Sequence, residues 1–346
     1  MEQIKYEKNI RIEWVDISKG IGIILVIWAH TLLSGGVVSE KLCRGAVFSF
    51  HMPLFFFLSG VTNKVPADWN EFIRKTEKLF KQLCFPAVGI FLLRIIFEII
   101  CGYNVNNTYD FLRLKINILI YGSGVPVKIG GSVIPAFGMM WFLISLFTCK
   151  TIYNYLSLKK DANIGYIIFI TFLGVVLSKI QFLPFTLDTS LAVLIFFYLG
   201  NKKVFYKRDF GNIKIFLFFL ICFFVWFGSL TVSLIYIRDY LEIAERRYPL
   251  FPLCYLTAIF GVFMIVWFSK GLEKFSVLRK TLTWLGKNSI ILFCVHAMDY
   301  LFIYIYDITA NNIINGVIRV FFDVLICAIF VFLGEKLNGK TTKFKK

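Results

Sequence analysis

The chain contains three histidines, His30, His51 and His296, and each falls inside a long apolar run. An ionisable side chain in a membrane helix is costly unless it faces other helices or water, so each of them is a functional candidate. By their positions within the runs, all three belong to the same half of the membrane, the outer one. One buried imidazole is as easily an interhelical hydrogen-bonding group as a reactive one. Three at one depth favour chemistry: a general base, a transient group acceptor, or a donor to a developing oxyanion. His30, His51 and His296 are therefore the candidate catalytic residues.

Lys19 stands eleven residues before His30. That is close to three helical turns, which places both on one face roughly 16 Å apart along the axis. The separation matches the reach of a long, phosphate-headed thioester cofactor, with its phosphates at the lysine and its thioester at the imidazole. Asp16 is spaced to pair with Lys19 at the same mouth. It lies about 21 Å from His30, too far to orient that ring.

Other intramembrane charges come in helical pairs: Arg94 with Glu98, His296 with Asp299, and Arg319 with Asp323. Such pairs either neutralise one another or serve a site. Arg94 is the candidate among them to bind an oxyanion or a cofactor anion, with Glu98 beside it toward substrate. Trp141 and Asp188 open their spans and are candidates to line an acceptor pocket; a tryptophan there also serves as an interfacial anchor. Arg74 and Lys78 belong to a basic loop at 63–81, expected to face the cytoplasm, where they hold either cofactor phosphates or anionic lipid head groups, the latter at roughly 1 kcal/mol per charge.

These residues need helices to position them, and the composition supplies them. Of 346 residues, 58% are hydrophobic and 17% charged, where a soluble domain keeps about 25% charged. The apolar residues form blocks of roughly twenty, enough to cross a hydrocarbon core of about 30 Å. Ten spans are expected, at about 16–34, 44–62, 82–101, 136–156, 162–179, 187–201, 214–236, 250–269, 284–304 and 313–334. The sixth is short, so it is expected to be tilted or partly re-entrant. Pro53 should bend the second, freeing carbonyls that neighbours re-satisfy.

The expected fold is thus an all-α polytopic bundle: a short N-terminal segment (1–15), a membrane domain (16–334) and a basic tail (335–346). Within the domain, 102–135 is expected to form an external surface helix and a Gly/Pro-rich lid. With the N-terminus inside, the cytoplasmic segments collect about 23 Lys and Arg against about nine outside, so both termini are expected in the cytoplasm.

The net charge of +17 sits in these short connections and forms no basic stripe interleaved with aromatics, which argues against a nucleic-acid partner. Eight scattered cysteines without a CxxC pair indicate neither a disulfide framework nor a metal site. No small-residue cleavage site follows the first apolar run, so no removable signal peptide is expected.

The stretch from Arg11 through Glu13, Asp16, Lys19 and Gly20, then His30, resembles the opening helix of acyltransferase family 3 membrane proteins, whose signature is a basic residue, ten residues and a histidine. The run Phe50-His51-Met52-Pro53-Leu54-Phe55-Phe56-Phe57-Leu58-Ser59-Gly60 is similar to the second motif of the fucose 4-O-acetylase-like branch. So are Met140-Trp141-Phe142-Leu143, Leu187-Asp188-Thr189, and Gly286-Lys287-Asn288-Ser289 followed by His296. The resemblance implies ten helices in a cell membrane, that of a bacterial cytoplasm, and transfer of an acetyl group from acetyl-CoA to a hydroxyl of a cell-envelope glycan or its precursor. It implies a catalytic role for His30 and a cofactor role for Lys19. Lysine replaces the arginine of many relatives, which removes a bidentate phosphate contact, and no esterase-like domain is fused to the bundle. The competing expectation is a transporter of an amino acid or lipid-linked group that uses the same bundle without acylation.

Overall fold

The computed structural model describes residues 11–32, 36–101, 108–160, 162–202, 211–299 and 308–343, with side chains through Leu337. Expectations for residues 1–10, 102–107, 203–210, the end of the ninth span (300–304) and the tail beyond residue 343 lie outside the described residues. The fold is nearly all helix. Its one sheet among the described residues is a hairpin of β1 (Val127–Ile129) and β2 (Ser132–Ile134), in the register Val127↔Ile134. Gly130 and Gly131 make the turn with φ of 54° and 82°, the left-handed pair that a two-residue hairpin loop requires. The segment expected to be a lid is therefore α5 (Thr108–Tyr121) followed by this hairpin.

Five helical stretches among the described residues are long and apolar enough to cross a membrane, and a sixth is added if one bent pair counts as a span. They are α2 with α3 (Val38–Phe48 and His51–Val61), α4 (Trp69–Ile100), α10 (Asn212–Tyr236), α11 (Leu253–Leu272) and α14 (Asn312–Lys343). The bent pair is α8 (Leu187–Ala192) and α9 (Leu194–Asn201), which meet at 60° after a short turn at Pro184–Thr186. The sixth span was expected to be short and tilted or partly re-entrant, and the structure gives a bent pair in its place. Helices also occupy the remaining predicted spans: α1 (Glu13–His30), α6 (Trp141–Leu158), α7 (Ile164–Ile180) and α13 (Ser289–His296). The outward faces of α10 and α14 are apolar, with Phe216, Phe224, Phe321 and Phe332 exposed, as a lipid-contacting surface must be.

Three expectations need correction. The basic segment 63–81 is mostly helix, because α4 begins at Trp69. Asp68 accepts the Glu71 N–H at 2.8 Å, and the Glu71 side chain accepts the Ala67 N–H at 2.7 Å. This reciprocal cap starts the helix well before its apolar stretch. The segment 270–283, expected as a loop, holds most of α12 (Ser276–Lys287), whose charges had masked one buried edge. Pro53 does not kink a helix. The break lies at Ser49–Phe50, and Pro53 falls in the first turn of α3, where its missing N–H has no helical acceptor anyway.

α1 is the hub, packing on α2, α3, α11, α12, α13 and α14. Two glycines let α12 lie against it backbone to backbone. A Cβ at Gly286 would stand 1.8 Å from the Asp16 carbonyl oxygen, and one at Gly20 would stand 2.3 Å from that of Leu282. A second reciprocal contact joins α3 and α9, where a Cβ at Gly60 would meet Phe197 O at 2.1 Å and one at Gly200 would meet Phe57 O at 2.0 Å. Small residues that allow such approach are the usual means of helix association in lipid. Here they fix the helices that carry the histidines.

Candidate active site

Each histidine sits at a helix end: His30 is the last residue of α1, His51 the first of α3 and His296 the last of α13. The sequence placed His51 and His296 inside continuous spans; the breaks at Ser49–Phe50 and after His296 turn those positions into termini. The α1 end is pinned to α14 by Thr31 Oγ1, which donates to Trp28 O and Asn312 O, and by Trp28 Nε1, which donates to Ile313 O. The break before α3 leaves the Val47 carbonyl available to a side chain, and His51 Nδ1 donates to it at 3.2 Å. A carbonyl only accepts, so the His51 proton is on Nδ1 and its Nε2 carries the lone pair.

The three rings form one cluster. His30 and His296 have centroids 5.5 Å apart, His30 and Phe48 also 5.5 Å, and Phe48 and His51 4.5 Å. His296 is fully buried and its Nδ1 faces two carboxylates, Asp299 Oδ2 at 2.7 Å and Asp323 Oδ2 at 3.2 Å. Arg319 Nε donates to the same Asp299 oxygen. His296 Nε2 is buried with no hydrogen-bond partner. The three ligand-type atoms of His296, Asp299 and Asp323 lie within 4.8 Å of one another, a separation that suits a metal ion as well. The Arg319 guanidinium already supplies positive charge to that cluster.

Two cavities on this side of the bundle share part of their lining. The outer, about 40 Å³, is lined by His30, His51, Phe48, Trp141 and Glu242. The inner, about 90 Å³ and almost wholly apolar, reaches Lys19 and Ser59. Met52, Phe142 and Phe293 line both. Lys19 lines the inner cavity and His30 the outer. No described residue pairs with the Lys19 ammonium, because Asp16 turns back to Arg11, whose Nε donates to it at 2.5 Å. Lys150 of α6 lies within electrostatic range of Lys19 and Lys75.

A family model described as an acyltransferase domain, that of acyltransferase family 3, matches residues 12–334. The chain belongs to this family. No curated protein and no solved structure matches it. The match covers the whole helical bundle, so the two-ended cavity is that of a multi-pass membrane acyltransferase.

In this acyltransferase, several sequence candidates lie away from the histidines. Asp16 closes on Arg11, not on Lys19. Arg74 and Lys78 point outward from α4, Arg74 with 80% of its side chain exposed. Glu98 is clamped between Arg94 at 3.1 Å and Lys115, and neither Arg94 nor Glu98 lines either cavity. Asp188 is fully buried against Arg246 at 2.6 Å. Trp141 lines the cavity of His30 and His51.

Sequence reasoning missed the roof of the site. The segment between α10 and α11 carries Glu242, Ile243 and Ala244 over the outer cavity, and Glu242 bridges to Arg247 in a small antiparallel turn. Glu242 meets Arg44 of α2 at 3.2 Å and is also held by Arg247. Arg44 donates to Tyr240 Oη and Leu32 O, and its guanidinium lies 4.0 Å over Phe48. Burial pushes the Glu242 carboxyl above the ordinary carboxylate range, Glu245 adds to this, and Arg44 and Arg247 oppose it. Arg246 anchors the roof to Asp188 and to Ser123 Oγ at 3.1 Å, over the Phe182 ring. A hydropathy pattern cannot reveal the partners Arg44–Glu242, Arg246–Asp188 and Arg246–Ser123, because they lie tens to hundreds of residues apart.

Proposed function

We propose that this protein transfers an acetyl group from cytoplasmic acetyl-CoA to a hydroxyl of a cell-envelope glycan or its precursor. The observation that carries the reading is a pair of cavities with shared lining, with the Lys19 ammonium in one and two imidazoles, His30 and His51, in the other. The phosphates of the donor rest at Lys19, with Lys150 and Lys75 adding positive potential. The pantetheine arm follows the apolar cavity past Met52, Phe142 and Phe293, and the thioester reaches His30. The acceptor enters beneath the Glu242 roof and lies against Trp141.

His30 removes the proton of the acceptor hydroxyl as its oxygen bonds to the acyl carbon. The carbon–sulfur bond then breaks, and the proton leaves on the CoA thiolate. His51, with its lone pair on Nε2, is the nearby second base. A path with an immobilised donor also supplies proximity, which converts a bimolecular reaction into an effectively unimolecular one.

The reading takes the bundle as ten spans with both termini cytoplasmic, in a bacterial cytoplasmic membrane, and the sequence as a member of the fucose 4-O-acetylase-like branch. Support for the orientation comes from the excess of Lys and Arg in alternate connections. Transport without acylation is not favoured, since the family match is to an acyl-transfer domain.

The test uses membranes that contain the protein, lack it, or carry His30→Ala at matched abundance. Acetyl-labelled acetyl-CoA is supplied from the cytoplasmic side, and label in envelope glycan is counted. Label that depends on the protein and on His30 is the expected result. Equal label in all three membranes, with no acetyl-CoA bound by the purified protein, contradicts the proposal.

A further inference from the structure

We propose that His296, Asp299 and Asp323 form a proton relay behind His30, with His296 as a positioning residue that acts through it. This rests on the acyl-transfer reading above. Three observations place the relay. The His296 ring adjoins the His30 ring, with centroids 5.5 Å apart, close enough for facing ring nitrogens to come within hydrogen-bond reach when the rings turn edge to edge. Its Nδ1 is committed to two buried carboxylates at 2.7 Å and 3.2 Å. Its Nε2 is buried and has no partner, and an unsatisfied buried acceptor is costly unless it has work to do.

The arrangement has the logic of a base oriented by a carboxylate. Carboxylates accept, so Nδ1 of His296 carries the proton and Nε2 carries the lone pair. When His30 takes the proton of the acceptor hydroxyl, it becomes an imidazolium in a site already faced by His51, Arg44 and Arg319. Passing that proton to Nε2 of His296 makes an imidazolium whose other N–H lies on Asp299 and Asp323. The charge then rests against two carboxylates, of which Arg319 pairs with Asp299. The same proton returns through His30 to the departing thiolate, so the relay is restored each turnover and no other reactant is consumed. His30 lines the cavity and His296 does not, so His296 touches no substrate and affects the rate without affecting donor binding.

His296→Asn separates this role from a structural one. The asparagine amide still donates toward Asp299 and Asp323, but nothing replaces Nε2. Steady-state transfer should show kcat lowered about 100-fold with KM for acetyl-CoA unchanged. Imidazole added to His296→Ala should restore part of the rate, and none in His30→Ala membranes assayed alongside. A His296→Asn protein with wild-type kcat overturns the relay, as does a fall in kcat matched by a rise in KM. If wild-type protein transfers no label and binds no acetyl-CoA, the functional reading fails and the relay fails with it. If wild-type protein transfers label and His296→Asn does so equally well, the relay alone fails.

Discussion

The two ends of the cavity are built in opposite ways. At the outer end nearly every charge near the rings is already matched: Arg44 with Glu242, Arg246 with Asp188, Arg319 with Asp299, and His296 with both aspartates. At the inner end Lys19 faces an apolar cavity with no partner among the described residues, and Lys150 adds like charge nearby. A matched network is preorganised and holds groups in place before anything binds. A lone ammonium at the mouth of an apolar cavity is completed only by an anion that arrives. Under the proposed function, the matched end does the chemistry and the end with the open ammonium holds the ligand.

Substitutions at the two ends should therefore fail differently. His30→Ala should lower acetyl transfer by about 10³-fold while acetyl-CoA binding to purified protein is kept; loss of binding as well would blur the two ends. Asp188→Asn leaves Arg246 buried without its charge partner. It should cost about 3–5 kcal/mol, read as a lower thermal midpoint in detergent, whereas an unchanged midpoint would show that the roof is not pinned there. Lys19→Ala should raise KM for acetyl-CoA about 10- to 100-fold with kcat kept, and Lys19→Arg should stay near wild type. Arg74→Ala with Lys78→Ala should change KM by no more than about twofold, since both side chains are solvated. A larger effect would move the phosphate site from the cavity mouth onto the exposed face of α4.

Much of this was legible in the sequence. The histidines stood out by their depth in apolar runs, and the structure gathers their rings into one cluster; Lys19 and His30 share α1, as local periodicity indicated. The irregular sixth span was legible as a short apolar block, though its 60° bend was not. What failed was the choice of side-chain partners, both distant and near. Asp188 was read as a pocket residue because Arg246, 58 positions away, was not visible as its counter-ion. Asp16 was paired forward with Lys19 by spacing, but the chain before α1 brings Arg11 back to it. Helices α12 and the first part of α4 were read as loops because charge hid a helical cap and a close-packed edge. Gly286 was recognised as a motif position without its reason, the backbone contact with Asp16.

The most direct test of the central claim is a structure of the protein with a non-hydrolysable acetyl-CoA thioether. The account predicts density along Met52, Phe142 and Phe293, with phosphates at Lys19 and the acyl end beside His30. Density for the analogue anywhere else, with both cavities empty, would contradict it.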